Sequence, residues 1–254
     1  MTSFAQAYHA DSSVIGKTKR RWARLRHRRP LPLAPDKPLL SISFDDAPLT
    51  ASLEGAKILE SRGLHGTYYV SPGLAGADLP MGLSANTEDY QRLSKAGHEI
   101  ACHTYSHLDC GRATAMEVVA DVSRSLETFE AWGLPPPTSF AFPYGDVSAD
   151  AKRLLGPRFS NLRGLHHGLI NKNCDMNQAP SVGIEGPDGE AAAWRWLEQA
   201  EAEKSWLILY THDVRDNPSP WGCTPKALSA LIDAALGAGF EIKTVGAAAQ
   251  SLGL

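Results

Sequence analysis

Short apolar segments that favour β-strands alternate along this chain with segments that have the periodicity of amphipathic helices. The alternation runs from about residue 39 to residue 245. Such a pattern predicts an α/β fold with a parallel sheet, either closed into a (β/α) barrel or open and doubly wound. A chain of 254 residues with 43% apolar composition can bury the core of one such barrel. In both architectures functional side chains gather where the parallel strands end at their carboxyl side.

The side chains that follow the predicted strands are of types that carry chemistry. Asp45 and Asp46 end the first apolar strand, and two carboxylates there need a cation or hydrogen-bond donors to offset their burial. Taken alone, an Asp-Asp pair more often caps a helix or stays solvated in a loop. His103, Tyr144 and His212 also follow predicted strands, however. This common placement favours one shared site over separate coincidences.

The segment His103-Thr-Tyr-Ser-His107 holds two imidazoles four residues apart. In one helical turn this spacing puts both rings on the same face. Together with Asp46 they can bind one metal ion and leave coordination positions open for water and substrate. A His-x-x-x-His pair is weak evidence by itself, since such histidines are often capping or surface residues. Because no Glu follows the first histidine, the zincin protease motif does not fit, and Asp45 is the candidate base.

Four short motifs resemble those of carbohydrate esterase family 4, the NodB-like polysaccharide deacetylases. They are Ser43-Phe-Asp-Asp46, His103-Thr-Tyr-Ser-His107, Phe142-Pro-Tyr-Gly145 and Tyr210-Thr-His212. The first two are specific in combination, and the resemblance covers about residues 38–245. It implies a distorted (β/α) barrel of parallel strands with the active site at their C-terminal ends. It also implies hydrolytic removal of N-acetyl groups from N-acetylglucosamine-type residues.

The resemblance further implies roles for individual residues. The expected ligands of a divalent metal, most often zinc, are Asp46, His103 and His107. Asp45 would be the base that takes a proton from the attacking water, and His212 would protonate the leaving amine. Tyr144 would stabilise the oxyanion through its backbone N–H. We expect Pro143 and Trp221 to contact the substrate, Trp221 because an aromatic ring in the loop after His212 can stack on a sugar.

The sequence departs from the family pattern at two places. The third motif commonly begins with an Arg that supports the base, and the corresponding residue here is Ala141. We expect Arg163, from the next strand, to supply that guanidinium instead. The fourth motif, which contains Asp and Trp, has no clear counterpart. For the carboxylate that pairs with His212, the sequence leaves two candidates open, Asp213 and Asp175.

The amino-terminal residues differ from the rest of the chain in charge. From Lys17 to Arg29 there are eight basic residues and no acidic one, whereas the remainder has 17 basic and 28 acidic residues. We therefore divide the chain into a basic arm with a Pro-rich joint, residues 1–37, and a catalytic domain, residues 38–254. The arm suits anionic lipid at a membrane surface, a nucleotide diphosphate or the protein's own acidic surface; a solvated extension is the alternative. Because the rest of the chain is acidic and does not extend the basic surface of the arm, we expect no nucleic-acid binding.

Residues 1–16 lack the apolar core of a secretory signal, and no run of 18 apolar residues predicts a membrane span. The four cysteines lack close pairing, so we expect reduced thiols. These features predict a cytoplasmic enzyme, at the inner face of the membrane if the arm binds lipid. Its N-acetylated glycan substrate would be a bacterial exopolysaccharide or an intracellular precursor. Two alternatives stay open: a related barrel hydrolase acting on a different small amide, and a non-catalytic glycan-binding homologue. Nothing in the sequence excludes a homodimer.

Overall fold

The fold is organised around a long central strand whose seven residues are all buried. The structure, a computed structural model, describes residues 13–254. In chain order the strands are β1 (Leu39–Asp45), β2 (Thr67–Val70), β3 (Asp78–Leu79), β4 (Gly82–Leu83), β5 (Glu99–Cys102), β6 (Ser139–Ala141), β7 (Asn161–Arg163), β8 (Val182–Gly183), β9 (Trp206–Thr211) and β10 (Glu241–Ile242). Parallel strands that are covered on both faces need nearly continuous apolar sequence, which accounts for the Leu-, Ile- and Phe-rich sequence of β1.

The main sheet has the strand order β7, β6, β5, β2, β1, β9 and β8, and every pair in it is parallel. Strand β10 pairs with the start of β1, whereas β3 and β4 form a separate hairpin. The segment that leads into β8, at one end of this strand order, pairs with β7 at the other end. There Ala179 accepts a hydrogen bond from the backbone N–H of Gly164 and donates one to the carbonyl of Leu162, each 2.8 Å long. The sheet is therefore a curled, distorted half-barrel, which confirms the predicted parallel α/β fold.

The helices lie between these strands in the chain. They are α1 (Val14–Leu25), α2 (Ala56–Glu60), α3 (Thr87–Lys95), α4 (Ala115–Ala131), α5 (Ala149–Leu155), α6 (Gly189–Glu203), α7 (Pro225–Gly237) and α8 (Val245–Ser251), with a π-helical turn, Ala51–Gly55, before α2. Local capping explains where several begin. The Thr114 hydroxyl accepts from the backbone N–H of Glu117, whose carboxylate accepts in return from the Thr114 N–H, as the sequence predicts for α4.

Several predicted elements differ from those observed. The helix expected from about residue 53 to 62 is divided between the π-helical turn and α2. In the region from Gly156 to Glu190 the sequence predicts strands and long loops without placing them, and the structure has strands β7 and β8 there. Helix α8 extends the chain beyond the last predicted strand, and α1 forms within the basic arm. These elements are short or carry charge on most faces, so their sequence periodicity is weak.

The basic arm is attached to the half-barrel by polar contacts. Lys152 Nζ donates to the carbonyl of Ala23, 2.9 Å away, and pairs with Asp175 at 2.5 Å. The backbone N–H of Arg29 donates to the other oxygen of Asp175. Residues 13–31 thus pack on the domain, while the signal-peptide prediction for residues 1–16 lies mostly outside the described residues. Within residues 13–254, no helix is long and apolar enough to cross a membrane.

Candidate active site

The first feature of the site is a turn at the end of β1. Asp45 closes the strand, and Asp46 and Ala47 follow with φ of 56° and 39°. This left-handed backbone is costly for residues other than glycine, and such conformations are typical of functional sites. Both carboxylates are almost completely buried, at 3% exposure for Asp45 and 5% for Asp46. They have different partners, and so they do different work.

Asp46 lies beside the two histidines of the second motif. Its Oδ1 is 3.5 Å from His107 Nε2 and 3.9 Å from His103 Nε2. The ligand atoms of the three side chains all lie within 4.8 Å of one another. The structure therefore brings together the three residues for which the sequence predicts a metal.

The donor set fits a divalent cation. Among the described residues, no hydrogen-bond donor reaches the buried Oδ1 of Asp46, an atom that would be costly to leave without a partner. His103 Nδ1 is 2.8 Å from the carbonyl of Ala141, so this nitrogen carries the proton and Nε2 presents its lone pair. Burial, reinforced by the unfavourable effect of a second imidazole nearby, lowers the pKa of His103 and of His107 to about 4. Both rings are therefore neutral at pH 7, the state that binds a metal.

The segment between the histidines is a loop, and the helical turn expected from their spacing is wrong. Thr104 and His107 have φ of 64° and 57°, values that no right-handed helix contains. Asp121 of α4 stabilises the loop by accepting from the backbone N–H groups of Tyr105 and Ser106, at 2.5 and 3.2 Å. A tertiary contact thus determines the geometry that brings the rings together.

Asp45 pairs with Arg163 instead of the histidines. The guanidinium Nη2 lies 2.7 and 2.6 Å from the two carboxylate oxygens, and the Arg163 side chain is fully buried. The ring centroids of Tyr69 and Tyr210 lie 4.8 and 5.2 Å from the Arg163 Cζ. Burial alone would raise the pKa of Asp45, but the charge and hydrogen bond of Arg163, together with the charges of His103 and His212, outweigh it and lower the pKa. The carbonyl of Ala141 accepts from the His103 ring and so orients it.

His212 has a carboxylate partner that neither sequence candidate supplied. Its Nδ1 is 3.0 Å from Glu185 Oε2 and 3.1 Å from the carbonyl of Trp221, which leaves Nε2 for the site. Burial would lower the pKa of His212, but the hydrogen bond and charge of Glu185 outweigh it and raise the pKa to about 9. Asp213 instead accepts from Ser219 and pairs with Arg215, and Asp175 binds the basic arm. The expectation of Asp213 or Asp175 was therefore wrong.

Glu185 was missed because the sequence around it was interpreted as irregular. It follows strand β8 by two residues, so the rule that found Asp45, His103 and His212 applies to it as well. A two-residue strand gives little apolar signal, and this strand contains a glycine. The charged residue at a strand end was the signal available.

The third motif forms the wall beside the histidines. Pro143 is buried at the start of a short turn, and Tyr144 follows it with φ of 59°. The Tyr144 ring centroid is 4.5 Å from that of His107, and Tyr144 is 37% exposed. Trp221 is 39% exposed, and its carbonyl accepts from the backbone N–H of His212 at 3.0 Å. The structure thus places Tyr144 beside His107, with Pro143 next to it in the chain, and joins Trp221 to His212.

Comparison with known proteins agrees with this geometry. Residues 33–156 match the family model described as polysaccharide deacetylase. A chitin deacetylase of Colletotrichum lindemuthianum is 25% identical over 82% of this chain and 78% of its own. The solved structure of the chitin deacetylase from that fungal pathogen has a TM-score of 0.64 at 19% identity, covering 85% of this chain and 89% of the other. A family 4 acetyl xylan esterase from Clostridium thermocellum, solved with a cobalt ion, has a TM-score of 0.58 at 18% identity, covering 84% and 91%.

Proposed function

We propose that this chain, which belongs to the polysaccharide deacetylase family and is a deacetylase-type hydrolase, removes N-acetyl groups from the N-acetylglucosamine-type residues of a glycan. One observation carries the proposal. A candidate metal triad, a carboxylate held by a buried arginine and an imidazole held by a carboxylate meet at one edge of the sheet. These are the groups that metal-assisted amide hydrolysis requires.

Asp46, His103 and His107 would hold the metal, for which we propose zinc. Two neutral imidazoles and one carboxylate are a common set at catalytic zinc sites. A divalent cation in this place would polarise the acetyl carbonyl and acidify the attacking water. The hydrogen bond from His103 Nδ1 to the Ala141 carbonyl orients the imidazole for that role before any metal arrives.

Asp45 would accept the proton of the attacking water at a carboxylate oxygen. Arg163 supports this role in two ways: it fixes the orientation of the carboxylate, and it keeps the pKa low enough for Asp45 to be ionised at neutral pH. A carboxylate with a low pKa is a weak base, so it is effective only toward a water whose own acidity has been raised.

His212 would donate the proton from Nε2 to the leaving nitrogen. Because Glu185 and the Trp221 carbonyl both face Nδ1, the ring can present only Nε2 to the site. The pKa of about 9 keeps the ring protonated at neutral pH, as an acid must be before the reaction. The backbone N–H of Tyr144 is the proposed donor to the developing oxyanion, and Pro143 and Trp221 are the proposed substrate contacts.

The natural substrate and the cellular setting extend this proposal. We infer an exopolysaccharide or its intracellular precursor as substrate, because the site carries the groups for removing N-acetyl groups from a glycan, and we propose the cytoplasm as location. Peripheral membrane contact depends on a different surface of the molecule, helix α1. A homodimer stays a prediction.

The test is acetate release from N-acetylglucosamine oligomers, measured on metal-stripped protein before and after zinc is restored. We expect release only with zinc, and none from Asp45→Asn with zinc bound. The matched control is Asp150→Asn, which removes an exposed carboxylate on α5 and should keep full activity.

The outcomes separate the alternatives. A protein that binds one zinc but releases no acetate from any oligomer would favour a different small amide as substrate. A protein that binds the oligomers but binds no zinc and releases no acetate would favour a non-catalytic glycan-binding homologue. Full acetate release by Asp45→Asn would contradict the assigned base and leave the family unchanged.

A further inference from the structure

Helix α1 presents an apolar surface to solvent, contrary to the usual orientation of an amphipathic helix. Its buried residues, Gly16 and Ala23, are small and lie on one side of the helix, and the Ala23 carbonyl accepts from Lys152. Residues on the opposite side are large, apolar and exposed. They are Val14 (80% exposed), Ile15 (68%), Trp22 (55%) and Leu25 (71%), and we call them the outward stripe.

The helical periodicity places the outward stripe on one side of α1. At about 100° per residue, its four members fall within an arc of roughly 100° that also holds the exposed Thr18, while Gly16 and Ala23 project on the far side. Four large apolar side chains, each more than half exposed on one short helix, are uncommon on a surface that stays in water. This surface requires a partner.

The charges around the outward stripe indicate which partner. On the helical wheel, Lys17, Arg21 and Arg24 border it on one side, and Lys19 and Arg26 on the other. Helix α1 contains no acidic residue. The basic surface continues into a cavity of about 790 Å³ between α1 and two loops of the domain. Lys19, Arg20, Arg26 and Arg112 line this cavity together with Trp22 of the outward stripe and two aspartates of the domain, Asp146 and Asp150.

We propose that α1 is a membrane-surface helix, with the outward stripe in the interface of an anionic lipid bilayer and the bordering cations on headgroup phosphates. An apolar face bordered by Lys and Arg on both sides is the pattern of helices that lie in the plane of the membrane. Each cation near an anionic surface adds to the attraction, and the apolar side chains add the part that salt does not screen.

The same charges disfavour the other occupants. A second copy of the chain on this surface would bring two all-basic helices together, and like charges across an interface oppose association. A nucleic acid would meet the cations but would leave the four apolar side chains in water. Only an anionic lipid surface satisfies the apolar and the basic residues together.

The experiment is co-sedimentation of the full 254-residue chain with vesicles. One set is phosphatidylcholine alone, and the other contains about one third phosphatidylglycerol, each at about 0.1 M and about 1 M salt. The test variant is Trp22→Ser with Leu25→Ser, which shortens the outward stripe and keeps every charge. The matched control is Leu236→Ser, an apolar residue of α7 that is 42% exposed.

We expect binding to the anionic vesicles, weaker at high salt, with at least a tenfold loss of partitioning in the double variant and none in the control. Acetate release from a soluble oligomer should be unchanged in the double variant, because neither residue lies in the catalytic site. That readout, with the circular dichroism of each variant, shows that the fold is intact and keeps this test independent of the proposed function.

Two results would overturn the proposal. One is an absence of vesicle binding at low salt, or equal binding by the parent and the double variant. The other is a concentration-dependent dimer, detected by sedimentation velocity without lipid, that the double variant abolishes while vesicle binding stays absent. The second result would assign the outward stripe to a second copy of the chain.

Discussion

The carboxylate of Glu185 determines the pH range in which His212 can act as an acid. The Glu185 Oε2 lies 3.0 Å from His212 Nδ1, and this contact raises the pKa of His212 to about 9 from an ordinary value of 6.5. In Glu185→Gln this hydrogen-bonded charge is lost, whereas the burial of the imidazole, which lowers the pKa, and the charges of Asp45 and Asp46, which raise it, remain. We therefore expect the pKa of His212 to fall toward its ordinary value of about 6.5.

The size of the effect follows from the protonated fraction of the imidazole. At pH 8 that fraction is about 0.9 for a pKa of 9 and about 0.03 for a pKa of 6.5, so the rate should fall roughly 30-fold. At pH 6 the two fractions are about 1 and about 0.8, and the rates should be nearly equal. A cation bound at the neighbouring triad lowers the pKa in both proteins, so the difference between the two profiles is the quantity predicted.

The assay measures kcat/KM for acetate release from about pH 5.5 to about pH 9.5, a range that spans the two pKa values. It compares the parent protein with Glu185→Gln and Glu190→Gln. Glu190 is an exposed carboxylate of α6 close in sequence, and its removal tests for a general effect of charge. An alkaline limit at the same pH in Glu185→Gln and in the parent would refute the assignment of His212 as the acid, or of Glu185 as the group that sustains it. Titration of the His212 ring by NMR in metal-free protein distinguishes the two.

Three further outcomes follow from the buried charges of the site. Asp46→Ala should lose metal and activity together, whereas Asp45→Asn should keep one metal per chain and lose turnover; inductively coupled plasma analysis of dialysed protein measures the metal. Arg163→Ala leaves the Asp45 charge buried without its partner, so the free energy of unfolding in urea should fall by about 3–5 kcal/mol and the acid limit of activity should move to higher pH; an unchanged acid limit would contradict the positioning role of Arg163. In metal-free protein His103 and His107 are neutral when folded, with pKa values of about 4, and gain protons below pH 6.5 when unfolded. Stability should therefore fall as the pH drops from 6.5 to 4, by at most about 3 kcal/mol per pH unit, a slope that Asp46, with its raised pKa, reduces; urea midpoints at several pH values, with and without zinc, test this.

Local sequence determined the elements whose own residues favour them. Strand β1 forms from a mainly apolar segment that includes the strand formers Ile42 and Phe44, and the capping box of Thr114 and Glu117 starts α4 at the predicted residue. The rule that polar residues at strand ends share a site needs only the order of strands along the chain. This rule predicts that Asp45, His103 and His212 lie together.

Some contacts depend on residues far apart in the chain, and only the tertiary structure decides these. Arg163 was an expected partner for Asp45, 118 residues away, but the fully buried pairing depends on how the half-barrel curls. The partner of His212 was predicted wrongly, because Asp213 is its neighbour in sequence and Glu185 its neighbour in space.

The amino-acid sequence by itself determined the fold class, the strand-end residues and the family, since these depend on local propensity and short motifs. Only the tertiary structure decided the loop geometry that joins the two histidines, the closure of the sheet at Ala179, and the face of α1 that is left to solvent. The physical reason is the same in each case. Three kinds of segment have only a weak local preference for the conformation that they adopt: backbone in a left-handed conformation, a two-residue strand, and a helix with charge on most sides. Contacts with distant residues supply the energy that selects one arrangement.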